Sequence, residues 1–314
     1  MSESTTWPDL PYAAWKDTCE TLHLWTQIVG KIRLAQTPWL NHSWQVAFYV
    51  SVRGLTTSPI AHGSRIFQID FDFIDHRLII STSDGAQRQL PLRAQSVAEF
   101  YADVFRELAG LGLEIRINEM PSELVSPLPF SQDRLHAAYE RDYAHRFWRI
   151  LLQVSRVFEL FRTSFLGKSS PVHFFWGSFD LAVTRFSGRQ APLHPGGIPN
   201  LPDAVVREAY SHEISSAGFW PGSGPITYPA FFCYAYPAPP GFSSTPVRPE
   251  AAFYSADLQE FILPYEAVRT AKAPEAVLLE FLQSTYEAAA NAGKWQRDAL
   301  ECELGVPGVP RSVS

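Results

Sequence analysis

The sequence predicts an α+β protein with two similar halves, each made of a helix, several antiparallel strands and a second helix. Apolar residues make up 46% of the 314 residues and charged residues only 18%, which indicates a large core. Helical apolar stripes alternate with short runs of period-two alternation. The order of these patterns in the first half recurs in the second.

The first half, residues 1–125, begins with a helix and a strand. Apolar residues recur at three- and four-residue steps over 12–36, and Pro38 then ends the helix. Every second residue from Trp44 to Val52 is apolar, and this alternation predicts a strand with one wholly apolar face.

The first half continues with further strands and a capped helix. Three strands are predicted at 65–74, 77–82 and 87–92. Ser96 with Glu99 forms a capping box, so we expect a helix to begin there and to end near Gly110.

The second half, residues 126–303, repeats this order. An amphipathic helix is predicted over 132–165 and a strand over 173–185, followed by a stretch rich in Pro and Gly at 187–229. Two strands at 230–236 and 258–263 and a helix at 274–292, with Pro274 in its first turn, complete it. We expect the tail, 304–314, to be disordered.

Matched spacings favour a duplication. Trp44 and Arg53 are separated by the same distance in sequence as Trp176 and Arg185. The alternative is two unrelated α+β modules. If the halves are related, the counterpart of the apolar Trp44–Val52 face is small and polar, with members Trp176, Ser178, Asp180, Ala182 and Thr184. A carboxylate is costly to bury alone, so this face either meets bulk solvent or lines a wet cavity.

Composition excludes several classes of protein. The net charge of −6 and the absence of a basic stripe argue against nucleic-acid binding. No apolar run is long enough for a membrane span. Three scattered cysteines give no disulfide framework or zinc ribbon, so we expect a cytoplasmic protein.

Metal-capable and acid–base side chains concentrate in the second half. His173 and His212, with Glu213 or Asp180, could form a two-histidine, one-carboxylate set for a divalent metal, or act as acid–base groups. No HExxH-type spacing supports this set, and a structural role is the alternative for each histidine.

An anionic ligand is the simplest interpretation of the arginines. Guanidinium groups of Arg53, Arg185 and Arg189 could bind a carboxylate or phosphate, and surface ion pairs are the alternative for Arg53 and Arg185. Trp176 and Trp220 could contact the ligand, with the glycine-containing segment 215–225 as a covering loop. Neither a Walker loop nor a G-x-S-x-G elbow is present.

Long segments resemble a bacterial family of unknown function. They include WPDLPYAAWKDTCETLHLWTQIVGKIRLA, RGLTTSPI, SPVHFFWGSFDLAVTRFSGR and AYSHEISSAGFWPG. The sequence is similar in these segments, and over nearly its whole length, to domain of unknown function 5996. The resemblance implies one conserved unit and carries no activity to any residue.

Three functions are consistent with the sequence. The first is an enzyme acting on a small anionic molecule, with metal assistance in one version and its site in the second half. The second is a binding or sensory module without turnover. The third is an interaction protein whose aromatic surface forms a homodimer interface.

Overall fold

The structure, a computed structural model, describes residues 6–224 and 226–311. In these residues two six-stranded antiparallel sheets combine with seven α-helices, which confirms the predicted α+β class. The helices are α1 Tyr12–Gln36, α2 Val97–Gly110, α3 Arg141–Arg162, α4 Asp203–Ala209, α5 Tyr265–Arg269, α6 Pro274–Ala292 and α7 Arg297–Leu300.

The strands fall into two groups along the chain. The first sheet contains β1 Tyr49–Val50, β2 Gly54–Thr56, β3 Ile60–His62, β4 Arg65–Asp72, β5 Arg77–Thr82 and β6 Gln87–Pro91. The second contains β7 His173–Phe175, β8 Asp180–Gln190, β9 His212–Trp220, β10 Ala230–Tyr236, β11 Phe253–Ser255 and β12 Glu260–Pro264.

Several elements match their predicted bounds because strong local signals set them. The helix α1 covers the predicted 12–36. The hydroxyl of Ser96 accepts from the backbone N–H of Glu99, whose carboxylate accepts from the backbone N–H of Ser96, so the capping box of α2 is formed. Pro274 opens α6 as predicted.

The predicted strand over Trp44–Val52 is wrong for most of its length. Only Tyr49 and Val50 form β1. Before them, His42 and Ser43 adopt positive φ values of 61° and 58°, and the N–H of Val46 donates to Ser43 in a turn. Val52 is 84% exposed, so the apolar face is not wholly in the core.

The predicted helix over 132–165 forms only as α3, Arg141–Arg162. The preceding segment is extended against α1, where the hydroxyls of Thr21 and Thr18 accept from the N–H groups of Ala138 and Glu140. These tertiary hydrogen bonds replace the first turns of the helix.

One strand prediction and one loop prediction in the second half are corrected. The run 173–185 is a hairpin, with β7 and β8 joined by a turn over 176–179 in which Phe179 has a φ of 59°. The segment 215–225 is not a long covering loop, because 212–220 forms β9 between β8 and β10. Small residues allow β9 to be buried between its neighbours, since a Cβ on Gly218 would overlap the ring of Phe232.

The two sheets share one hydrophobic core and meet at their edges. Phe48, beside β1, forms an antiparallel bridge with Phe174 of β7 through two backbone hydrogen bonds of 2.7 and 2.8 Å. The strand order is β1-β2-β4-β5-β6 with β3 on β4 in the first sheet, and β11-β12-β10-β9-β8-β7 in the second. The structure therefore does not confirm duplicated halves.

Two features at the level of the whole chain complete the fold. In the described residues, no helix has the length and apolar character needed to cross a membrane.

The described part of the predicted tail contacts the end of α3, where the N–H of Gly305 donates to the hydroxyl of Thr163 at 2.9 Å. Residues 312–314 of that prediction lie outside the described residues.

Candidate functional site

A cleft of about 940 Å³ lies where the two predicted halves meet. Residues before 125 contribute side chains from α1, from the turn at 41–44 and from the segment around Glu123 to the lining of the cleft. The remaining walls come from β8, β9, β10, α4 and the chain at 258–260. A cleft of this size accommodates a small organic molecule.

One face of β8 forms the floor of the cleft. Asp180, Ala182 and Thr184 line it, whereas Leu181 and Val183 point into the core on the α3 side. The turn before β8 adds Trp176 and Ser178 to the lining. The small polar face found in the sequence thus lies inside a cleft, and Asp180 is only 5% exposed.

Asp180 and Glu123 form a pair of carboxyl groups around one serine hydroxyl. Ser178 Oγ donates to Asp180 Oδ1 at 2.7 Å and is also a hydrogen-bond partner of Glu123. Burial raises the pKa of Asp180 to about 7. Burial, followed by the nearby charge of Asp180, raises the pKa of Glu123 to about 7. Both groups can therefore gain or lose a proton near neutral pH.

Polar side chains of α1 hold the backbone that carries this pair. Gln27 donates to the carbonyl of Ser122 at 3.0 Å and accepts from its N–H at 2.8 Å. One turn later, Lys31 Nζ donates to Ser122 Oγ at 3.0 Å. One turn earlier, His23 Nε2 donates to the carbonyl of Gly177 at 2.8 Å. This i, i+4, i+8 stripe fixes both loops of the site to one rigid helix.

Glu260 adds a third carboxyl group at the start of β12. Burial, followed by the charge of Asp180, raises its pKa to about 8. Its Oε2 atom is buried and has no hydrogen-bond partner within the described residues. A buried acceptor without a donor is costly, so this atom is suited to a protonated state or to a ligand's donor.

Hydroxyl groups and aromatic rings make up much of the remaining wall. Thr184 and Ser216 share a hydrogen bond of 2.8 Å between their hydroxyls, and Tyr210 and Tyr234 share one of 2.9 Å. Trp220 packs on Phe232 with ring centroids 4.3 Å apart. The cleft can therefore offer both apolar surface and hydrogen bonds to a ligand.

Strained backbone is concentrated around the cleft. Ten non-glycine residues in the described part of the chain have positive φ, and five of these line the cleft: His42, Ser43, Glu123, Asn200 and Gln259. A sixth, Phe179, directly precedes Asp180. Left-handed backbone at non-glycine residues is costly and clusters at functional sites.

The two histidines predicted as metal ligands or acid–base groups, His173 and His212, lie outside the cleft. His173 is 1% exposed and packs between the rings of Phe175, Trp44 and Tyr49. Burial lowers its pKa to about 3, so it is neutral. Neither ring nitrogen has a hydrogen-bond partner in the described structure.

The other residues proposed from the sequence separate into different environments. Glu213 accepts from Ser187 and forms an ion pair with Arg189, away from Asp180. His212 contacts Ser211 and the ring of His42. Arg185 is buried among aromatic rings, 3.5 Å above Phe161, and donates to Ser164. Trp176 and Trp220 do line the cleft with Asp180.

The predicted metal ligands are not brought together. Across 6–224 and 226–311, no group of three or more His, Cys, Asp or Glu side chains is arranged to hold a metal ion. His173, His212 and Glu213 therefore do not form the set that the sequence suggested.

Sequence reasoning missed Glu123, Glu260 and Lys31. Glu123 lies in an irregular segment without periodicity, and Glu260 begins a strand in which a carboxylate is usually a solvent-facing residue. The signal that could have found Lys31 is the four-residue spacing that joins His23, Gln27 and Lys31 on one side of α1.

Comparison with known proteins gives a family for this fold and cleft. The model of a family of unknown function, DUF5996, matches residues 7–302. The chain belongs to this family. No curated protein and no solved structure matches it. Because every residue that lines the cleft lies within 7–302, the cleft is part of the DUF5996 unit itself.

A glycine gives a direct test of the carboxyl pair in this DUF5996 protein. A Cβ on Gly177 would overlap Glu123 Oε1, the end of a flexible side chain. We expect Gly177→Ala to fold and to move the Glu123 carboxyl group away from Ser178 and Asp180, so that its pKa falls from about 7 towards the ordinary 4.5. Carbon-detected NMR of the side-chain carboxyl groups checks this. A Glu123 that titrates in the variant as it does in the wild type would contradict the assigned pair.

Proposed function

We propose that the protein is an enzyme that acts on a small molecule in the cleft by general acid–base catalysis. The observation that carries the proposal is the chain of Glu123, Ser178 and Asp180. A serine hydroxyl has one hydrogen to donate. When Ser178 donates to Asp180, its oxygen can accept a hydrogen bond from protonated Glu123. One carboxyl group then acts as acid and the other as base.

The position of these groups supports the proposal. Asp180 lies on the floor of the cleft, where a bound molecule can touch it, and its pKa of about 7 suits proton transfer at neutral pH. The neighbouring wall carries several aromatic side chains, which offer apolar surface to a bound molecule.

Neither the anionic ligand nor the metal of the sequence hypotheses enters this proposal. Arg185 and Arg189 do not line the cleft. The three predicted metal ligands lie in separate environments. The proposed chemistry therefore uses the carboxyl groups of the protein itself.

The experiment compares the wild type with Asp180→Asn on a mixture of small metabolites, followed by mass spectrometry. We expect at least one compound to be consumed by the wild type and its turnover to fall about 100-fold or more in the variant. Glu280→Gln, which removes an exposed carboxylate paired with Arg248, is the control and should keep full activity. Equal consumption by Asp180→Asn and the wild type would contradict the proposal.

A binding module without turnover is the second candidate. The extensive aromatic lining, with Trp220 packed on Phe232, favours it, because such walls bind ligands without chemistry. A compound that binds in an Asp180-dependent way and is recovered unchanged would identify this function. The homodimer and the cytoplasmic location stay predictions.

A further inference from the structure

The charges in the cleft are unbalanced. Glu123, Asp180 and Glu260 all line it, and within the described lining Lys31 is the single Lys or Arg side chain. Lys31 lies beside Glu123 and donates to Ser122, so it compensates the first carboxylate only. Fully ionised, Asp180 and Glu260 would have no cationic partner among these lining residues.

An aromatic wall stands beside these carboxyl groups. The ring of Trp220 packs on Phe232, which stacks on Tyr234 at a centroid distance of 6.2 Å, and the Tyr234 ring lies 6.3 Å from that of Tyr210. The faces of aromatic rings attract cations, and aromatic enclosures with nearby carboxylates are a common way to bind organic ammonium groups.

From these observations we propose that the ligand of the cleft is an organic cation, with a protonated or quaternary amine bound between Asp180, Glu260 and the aromatic wall. This inference rests on the proposed function and names its substrate class. A protonated amine supplies the donor that the buried Oε2 atom of Glu260 lacks. A neutral or anionic ligand would leave the carboxylates without a counter-charge.

Binding of the cation is coupled to loss of protons. In the free protein, burial keeps a proton on a share of the carboxyl groups near neutral pH. When an ammonium group binds, its positive charge stabilises the ionised carboxylate, so the proton is no longer needed to neutralise it. Binding should therefore release protons and should strengthen as pH rises through the range in which the carboxyl groups titrate.

Other titratable groups facing the carboxyl groups do not reverse this dependence. They are Lys31 of α1, His42 of the turn at 41–44, His194, Tyr210 after α4, and Tyr234 and Tyr236 of β10. Burial lowers the pKa of both histidines, which favours their neutral form, and raises the pKa of Tyr210 and Tyr234. Lys168 is not one of the lining residues; its Nζ donates to His42 Nε2 at 2.7 Å and lies over the rings of Trp44 and Phe186.

The test uses three six-carbon probes that differ in charge: diaminohexane, hexanediol and adipate. Isothermal titration calorimetry with the whole protein should show that the diamine binds at least tenfold more tightly than the diol or the diacid. Its affinity should rise between about pH 6 and about pH 8.5, with proton release seen as a dependence of the heat on the buffer used.

Variants connect the binding to the named carboxyl groups. Asp180→Asn and Glu260→Gln should each weaken diamine binding about tenfold or more, whereas the exposed control Glu280→Gln should leave it unchanged. Circular dichroism on each variant confirms that it is folded before the binding is compared.

The outcomes separate the two proposals. If the diol or adipate binds as tightly as the diamine and Asp180→Asn abolishes that binding, the cation inference is overturned while the cleft stays the functional site. If no probe binds, or if diamine binding is unaffected by both substitutions, the inference is also overturned. If the protein turns over a neutral metabolite and this turnover depends on Asp180, the cation inference is overturned and the proposed function is supported.

Discussion

At about pH 8, we expect Asp180→Asn to raise the free energy of unfolding by about 4 kcal/mol while it weakens ligand binding. The pKa of Asp180 rises from an ordinary value of 3.8 to about 7 in the folded protein. A difference of this size corresponds to about 1.4 kcal/mol for each pKa unit. Burying the ionised carboxylate of Asp180 therefore costs folding free energy, and the isosteric amide of Asn removes this cost.

The pH dependence follows from the sign of this shift. Below about pH 3 the carboxyl group is protonated in both states, so wild type and variant should be equally stable. As pH rises to about 7, the unfolded chain releases its proton before the folded protein does, and the wild type loses stability. Urea denaturation at several pH values measures this difference. A variant less stable than the wild type at about pH 8 would contradict the shifted pKa.

The second large effect is expected at Gly30, where α1 passes Trp176. A Cβ on Gly30 would overlap the indole ring, which is buried and donates from Nε1 to the carbonyl of Val46 at 2.8 Å. Alanine normally stabilises a helix by about 1 kcal/mol relative to glycine. Here we expect Gly30→Ala to destabilise the protein by about 1–3 kcal/mol, because overpacking outweighs that gain.

A matched control separates the overlap from the effect of alanine itself. At Gly110, the last residue of α2, an added Cβ would meet only Arg88 Nε, at 3.8 Å. Gly110→Ala should change stability by less than about 1 kcal/mol. Chemical denaturation of both variants, followed by tryptophan fluorescence, makes the comparison. Equal stability of Gly30→Ala and Gly110→Ala would contradict the close contact with Trp176.

Local signals in the sequence were sufficient for much of the fold. The capping box at Ser96 and Glu99, the Pro274 helix start and the apolar stripe of α1 each depend on neighbouring residues alone. The Trp44–Val52 strand and the early part of the 132–165 helix failed because tertiary contacts replaced the local preference. Such contacts have no signature in a short window of sequence.

The candidate site was only partly predictable for the same reason. The polar face of β8 indicated Asp180, because alternation along a strand assigns its residues to two faces. The partners of Asp180 come from distant segments: Glu123 lies in an irregular loop and Glu260 at a strand start. The chemistry of histidine and arginine side chains does not show where the chain places them, and the fold puts His173 and Arg185 in the core.

The central claim is that the cleft holds carboxyl groups that exchange protons near neutral pH. Carbon-detected NMR of the labelled side-chain carboxyl groups, titrated with pH, tests it most directly. We expect a resonance lost in Asp180→Asn to titrate with a midpoint of about 7. A midpoint near the ordinary 3.8 would show that the cleft holds an ordinary solvated aspartate, and the assignment of a proton-exchanging carboxyl group would be wrong.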